Sequence, residues 1–309
     1  MNPSRWFGNF ILRNGPALGG FLLVAVGFWI FVMILAPQFA MVDFSFRHNL
    51  PPAEQGGHKD VYTLEHYEFM IYGSAEASGT FNTLDLTVFA RTLITAALVT
   101  LADLLICYPI AYFLAQSARG GWARLMVLSL IVPFWVNEIL RAFAFRIIFG
   151  SAGVINGALL WLGVVDQPVD FIRENVALYT GLTYAFILLM IFPLYNAIES
   201  LDRNQIEAAR DMGASWLRIH WRVVIPFAKP GISSGCTMVF MLTAGALAAP
   251  QILGGPSSLW FTQIIYQWFN TGNNWPRGSA YAIILLVSTI LLVLLAMRIF
   301  KVRLGDIGK

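Results

Sequence analysis

Apolar residues dominate six stretches of the chain, near 17–41, 87–116, 124–149, 176–199, 231–253 and 278–300. Each is long enough for the roughly 20 helical residues that cross a hydrocarbon layer. The strict apolar and polar alternation of a barrel strand is absent from them. A bilayer offers a free backbone no hydrogen-bond partner, so such runs must satisfy their own N–H and C=O groups as helix. The pattern predicts an all-α membrane protein of six transmembrane helices, with residues 1–309 forming one domain. The first run follows Arg5 and Arg13 as a signal peptide would. It is longer than an h-region and lacks an A-x-A site, so it reads as an uncleaved first helix.

The stretches between the runs differ in kind. A long first loop, 42–86, is broken by Pro51-Pro52, Gly56-Gly57 and Gly73 around a more regular Val61 to Tyr72. A loop of that length usually has a role of its own. The connection 150–175 predicts a short helix from Gly153-Val154-Ile155-Asn156 to Leu162, whereas 117–123 reads as a tight Arg-Gly-Gly turn. Segment 200–230 has a helical pattern of its own. Asp202-Arg203-Asn204 supply capping residues, a helix runs through Met212, Gly213 breaks it, and a second stretch, Ser215 to Val224, ends before Pro226. The fifth spanning helix then starts at Lys229-Pro230-Gly231.

Charge orients this picture. With the N-terminus inside, thirteen Lys and Arg residues fall on the cytoplasmic side, including Arg5, Arg13, Arg119, Arg203, Arg210, Arg218, Arg222, Lys301, Arg303 and Lys309, against five outside. Both termini are therefore expected in the cytoplasm. Only 12% of residues are charged and mean hydropathy is +0.67, far from a soluble domain with roughly 25% charged residues. The net charge of +3 follows from topology, and no basic cluster interleaved with aromatics points to nucleic acid. Cys107 and Cys236 fall inside predicted helices as small apolar residues, and His48, His58 and His66 read as solvated loop histidines without metal-ligand spacing.

Segment 200–230 carries the sharpest pattern. Glu207-Ala208-Ala209 is followed after three residues by Gly213 and after nine more by Val223-Val224-Ile225-Pro226. Two alanines let another surface approach closely, and Gly213 permits a sharp turn. Trp216, His220 and Trp221 among Arg218 and Arg222 offer residue types that dominate interfaces. The bland reading is an amphipathic helix on anionic lipid, which would not require the glycine and proline at that spacing.

This pattern resembles the cytoplasmic coupling loop of permeases in binding-protein-dependent ABC importers. From about 84 to 282 the chain is similar to the spermidine/putrescine permease family. The stretches that carry it are Tyr108-Pro109-Ile110-Ala111-Tyr112, Val132-Pro133-Phe134-Trp135, Gly153-Val154-Ile155-Asn156, Leu253-Gly254-Gly255 and Asn274-Trp275-Pro276. The resemblance implies a type I importer permease fold in the inner membrane of a bacterial cell, and a chain that is not itself an enzyme. Its implied partners are a dimer of ABC ATPase subunits, a second, unlike permease and a periplasmic solute-binding protein. On that reading Glu207, Ala208, Ala209, Arg210, Asp211, Gly213, Ser215, Trp216 and Pro226 couple to the ATPase, and ATP and Mg sit on that partner. No G-x-x-x-x-G-K-[ST] phosphate loop occurs in this chain.

For the transported solute the outer loops hold ten acids (Asp43, Glu54, Asp60, Glu65, Glu68, Glu76, Asp85, Asp166, Asp170, Glu174) against five bases, which suits a cation such as a polyamine. A 4-aminobutyrate, opine or similar amine solute is the alternative. Asp103 and Glu138 lie at membrane depth, where ionisable groups are functional candidates. They join Trp135 and Asn137 as expected pathway residues, with a Glu138–Arg141 ion pair as the structural alternative. A stand-alone ion-coupled transporter using Asp103 and Glu138 is the rival class. It would need inverted repeats and no coupling segment.

Overall fold

The computed structural model describes residues 15–51, 54, 56–73, 81–117, 120–256 and 258–300. The charged positions Arg5, Arg13, Glu76, Arg119, Lys301, Arg303 and Lys309 lie outside them. In chain order the helices are α1 (Pro16–Ile30), α2 (Ala36–Ser45), α3 (Glu65–Tyr72), α4 (Thr83–Tyr112), α5 (Gly120–Ile131), α6 (Glu138–Ile148), α7 (Val154–Trp161), α8 (Val176–Glu199), α9 (Arg203–Asp211), α10 (Trp216–Ile219), α11 (Ile225–Ala244), α12 (Ala248–Leu253), α13 (Phe261–Asn270) and α14 (Trp275–Phe300). Wide, π-type turns at Phe31–Leu35 and His220–Val224 join α1 to α2 and α10 to α11, and a third, Phe113–Ser117, extends α4.

Among the described residues five helices are long and apolar enough to span a membrane, at Ala17–Ser45, Thr83–Ser117, Val176–Glu199, Trp216–Ala244 and Trp275–Arg298. The expected straight third span is instead a pair, Gly120–Trp135 and Glu138–Ile148, bent by 93°. The cause is local. Pro133 tightens Val132–Trp135 into a 3₁₀ turn, Val136 is extended, and the Asn137 side chain accepts from Ile139 N–H at 2.9 Å to cap a new helix.

Two prolines explain why long helices carry wide turns. Pro37 and Pro226 each lie two residues beyond one. A proline has no N–H to donate and its ring crowds the carbonyl four residues back, which a wide turn moves aside. Pro226 therefore does not end a helix, as its sequence context predicts, and the spanning helix begins at Trp216 rather than at Lys229.

The chain forms two compact units, Met1–Thr80 with Trp268–Ile283, and Phe81–Gln267 with Ile284–Lys309. The second is built on α4, α8 and α11, whose facing positions include the fully buried Ala96, Cys107, Ala111, Leu182, Met190, Leu194 and Val239. Hydrophobicity cannot hold helices together in lipid, so close backbone approach must. A Cβ on Gly231 would collide with the Pro193 carbonyl and the Ala197 methyl, and one on Gly235 would sit 2.8 Å from Met190 Sδ. The Gly231-x-x-x-Gly235 spacing thus seats α11 on α8. Gly181 of α8 likewise abuts Leu253 of α12.

In the first unit Arg47 organises residues 42–73. It pairs with Asp43 and Asp60, both at 2.7 Å, and its carbonyl accepts from His66 Nε2–H at 2.9 Å. His66 is buried rather than solvated, a correction to its reading as a loop histidine. Burial holds its imidazole below the ordinary pKa. The Gly56 N–H and the Arg47 guanidinium hold Asp60 below the usual carboxylate range.

Candidate functional site: the segment between α8 and α11

The Asp202 side chain accepts from Asn204 N–H at 3.0 Å and caps α9, as its position in the sequence predicts. One face of α9 buries Ile206 and Ala209 while Glu207, Ala208, Arg210 and Asp211 are exposed. Ala209 therefore belongs to the core, which corrects the expectation that both alanines face a partner. Of the two, only Ala208 is exposed.

α9 ends in a Schellman motif. Gly213 N–H bonds the Arg210 carbonyl at 2.9 Å and Ala214 N–H the Ala209 carbonyl at 3.0 Å, with Gly213 at φ +76°. Open space surrounds the missing Gly213 side chain. Its requirement is backbone conformation, and not room.

Beyond the turn Ser215 precedes α10 with extended backbone, and the following helix runs unbroken into the membrane span through the exposed Pro226. Met212 (82% exposed), Trp216 (64%), Leu217 (61%) and Trp221 (66%) stand out as a broad apolar ridge among Arg210, Arg218 and Arg222. His220, expected on the same outward face, points inward and is buried. Its Nδ1 shares a 2.6 Å hydrogen bond with Tyr108 Oη, and its ring lies 4.4 Å from Tyr112 and 4.1 Å from Trp216. Tyr108 and Tyr112 belong to the Tyr-Pro-Ile-Ala-Tyr stretch, to which the sequence alone assigns no task. Their spacing of four puts both rings on one face of α4, and that spacing is the signal by which the pair could have been found.

The four expected pathway residues are not brought together. Asp103 is fully buried on α4, and both carboxylate oxygens lack a hydrogen-bond partner among the described residues. Trp135 is 81% exposed, and Asn137 serves as the cap of α6. Glu138 occupies the first turn of α6, where the helix dipole favours an acid. Arg141 lies over the Phe134 ring at 5.1 Å, and no Glu138–Arg141 ion pair forms. Between α8 and α11 a cleft of about 700 Å³ is lined by Pro193, Asn196, Ser200, Pro230, Ser234 and their neighbours. This polar-edged groove went unforeseen because its residues are ordinary helix positions in sequence.

Among the described residues no group of three or more His, Cys, Asp or Glu side chains is placed to hold a metal ion. Long apolar helices around a small-residue core, with an aromatic and charged segment left exposed before the fifth span, define a membrane permease. The profile of binding-protein-dependent transport system inner membrane components matches residues 107–303, and the chain belongs to that family, as the permease subunit of an ABC importer. It is 31% identical over 300 residues to the spermidine/putrescine transport system permease protein PotB of Salmonella typhimurium (strain SL1344), covering 96% of this chain and 100% of that protein. The PotB of Escherichia coli (strain K12) is 33% identical over 277 residues, covering 90% and 96%. In fold the chain is similar to a bacterial alginate ABC transporter solved with an alginate pentasaccharide-bound periplasmic protein. There the TM-score is 0.74 at 17% identity, covering 94% of this chain and 97% of that one.

Proposed function

We propose that this permease moves a polyamine such as putrescine or spermidine from a periplasmic binding protein into the cytoplasm, paired with a second, homologous but unlike permease. ATP is bound with Mg and hydrolysed on a dimer of separate ATPase subunits that docks on residues 203–226, and both termini lie on that cytoplasmic side. The observation that carries the docking reading is the outward set Glu207, Ala208, Arg210, Asp211, Met212 and Trp216, presented on the capped α9 and the turn and helix that follow it, with no ion pair among the described residues. Aromatic and arginine side chains presented this way are the anchors of a protein interface.

For the solute, the similarity to two polyamine permeases over nearly the whole chain supports the amine reading. The acidic outer loops support it less than the sequence suggests, because Asp43 and Asp60 share Arg47 and Glu54 pairs with Lys59. The complex, reconstituted with its binding protein, is tested for ATPase stimulation with putrescine, spermidine, 4-aminobutyrate and ferric iron in turn. Stimulation by the first two alone is expected. Stimulation by 4-aminobutyrate alone transfers the assignment to that solute, and loss of the ATPase on purification together with full uptake by Glu207→Ala sinks the importer mechanism.

A further inference from the structure

We infer that the docking segment grips α4 at two points, and that Tyr108, His220 and Gln116 are positioning residues that pass its motion into the membrane. The inference rests on the reading of residues 203–226 as the ATPase's docking segment. The first grip is at the segment's far end. Trp216 is largely exposed, yet its ring lies against His220 at 4.1 Å, and His220 in turn shares a 2.6 Å hydrogen bond with Tyr108 of α4. A partner that presses on Trp216 therefore presses on a buried imidazole tied to a spanning helix 112 positions away in sequence.

The second grip is at the near end. Gln116 Nε2 donates to the Ile198 carbonyl at 2.8 Å and to the Leu201 carbonyl at 3.3 Å. Both carbonyls lie where α8 ends and the chain turns into α9, the first also accepting from Leu201 N–H at 3.2 Å. One helix, α4 with its extension, thus holds the docking segment where it leaves α8 and where it rejoins α11. Displacing the segment without displacing α4 requires breaking both links.

Both links fall on wide turns. Gln116 sits in Phe113–Ser117, and His220 opens His220–Val224. Such turns interrupt the regular backbone ladder and recur at functional sites. Aromatic packing alone would hold the helices together. The added polar bond at one end and carbonyl cap at the other fix direction and register, which a transmission needs and a static contact does not.

The test uses the complete complex in ATP-loaded liposomes with binding protein and solute, reading ATP hydrolysed per solute imported together with ATPase retention on purification. Tyr108→Phe removes only a hydroxyl, His220→Phe keeps a ring, and Gln116→Met keeps the side-chain length. Each is expected to retain the ATPase and its hydrolysis while uptake falls about tenfold, within the usual range for coupled sites, so that ATP spent per solute rises about tenfold. Tyr108→Phe with His220→Phe is expected to be no worse than either alone, because they share one bond, whereas Gln116→Met adds its own loss. An unchanged ATP-to-solute ratio in all three variants, even with lower absolute rates, overturns the inference and leaves them as packing residues. If His220→Phe fails to assemble, Tyr108→Phe decides. Failure of the docking reading shows separately, as an ATPase that never co-purifies with the unsubstituted chain, and it overturns the inference as well.

Discussion

Residues 42–73 and 200–226, each of which includes one end of a spanning helix, are stabilised on opposite plans. In 42–73 the side chains hold an irregular backbone. Arg47 bridges Asp43 and Asp60, Lys59 meets Glu54, His48 meets Glu65, and Tyr62 donates to Asp43 at 3.0 Å. In 200–226 the Asp202 cap, the Schellman turn at Gly213 and the links from Tyr108 and Gln116 do that work, without ion pairs among the described residues. None of Glu207, Arg210, Asp211, Arg218 and Arg222 forms an ion pair among the described residues. Charges that satisfy one another make a scaffold. Charges left idle on a backbone held by other means are available to a partner.

The contrast breaks most directly at two adjacent alanines. Ala209→Leu forces three extra carbons into a filled core and is expected to cost about 1–3 kcal/mol of stability. It should show as a lowered thermal midpoint of the detergent-solubilised chain. Ala208→Leu is expected to leave that midpoint in place and to release the ATPase subunits in co-purification. Equal effects of the two would mean that α9 has no distinct outer face. Next in size, Gly213→Ala meets no neighbour but must adopt positive φ, at a cost of about 1 kcal/mol. Because that strain is confined to the Schellman turn, the expected result is a weakened ATPase association with little change in global stability. A wild-type level of association would show that the turn is not what presents the segment.

The same residues mark how far sequence carries toward structure. The helical class, the cap at Asp202 and the break at Gly213 were legible because each depends on local composition or backbone chemistry. The 93° bend after Pro133 was not, since an apolar run reads the same whether straight or folded back. The continuation of the helix through Pro226 depends on a wide turn, which no periodicity reveals. Burial of Ala209, His220 and His66 is set by tertiary neighbours, and the Gly231-x-x-x-Gly235 spacing becomes a seat only through the carbonyl of Pro193 that faces it. The site's outward residues were legible through a motif; the inward ones that anchor it were not.

The scaffold side of the comparison yields smaller effects. Arg47→Ala strands two carboxylates and the Tyr62 face that the guanidinium covers at 5.5 Å. Faster amide exchange across 43–66 with unchanged ATPase retention is expected, and a loss of retention would deny the division of labour between scaffold and docking segment.

The smallest effect concerns protons at His66. Its Nε2–H donates to the Arg47 carbonyl while Nδ1 is buried without a partner among the described residues, so the folded state favours the neutral ring and its pKa is lowered by burial. The unfolded segment takes up a proton near pH 6.5, where the folded one does not, so stability is complete above that pH and falls as pH drops toward the folded value. One site changes stability by no more than about 1.4 kcal/mol per pH unit, hence by about 0.8 kcal/mol at most on reaching pH 6. Amide protection of α3 should therefore decline between pH 7 and 6 in the native chain and stay flat in His66→Gln, whose amide keeps a donor but does not titrate. The same decline in both would show that His66 is not the group that responds, and that a neutral amide at 66 leaves the pH response of α3 untouched.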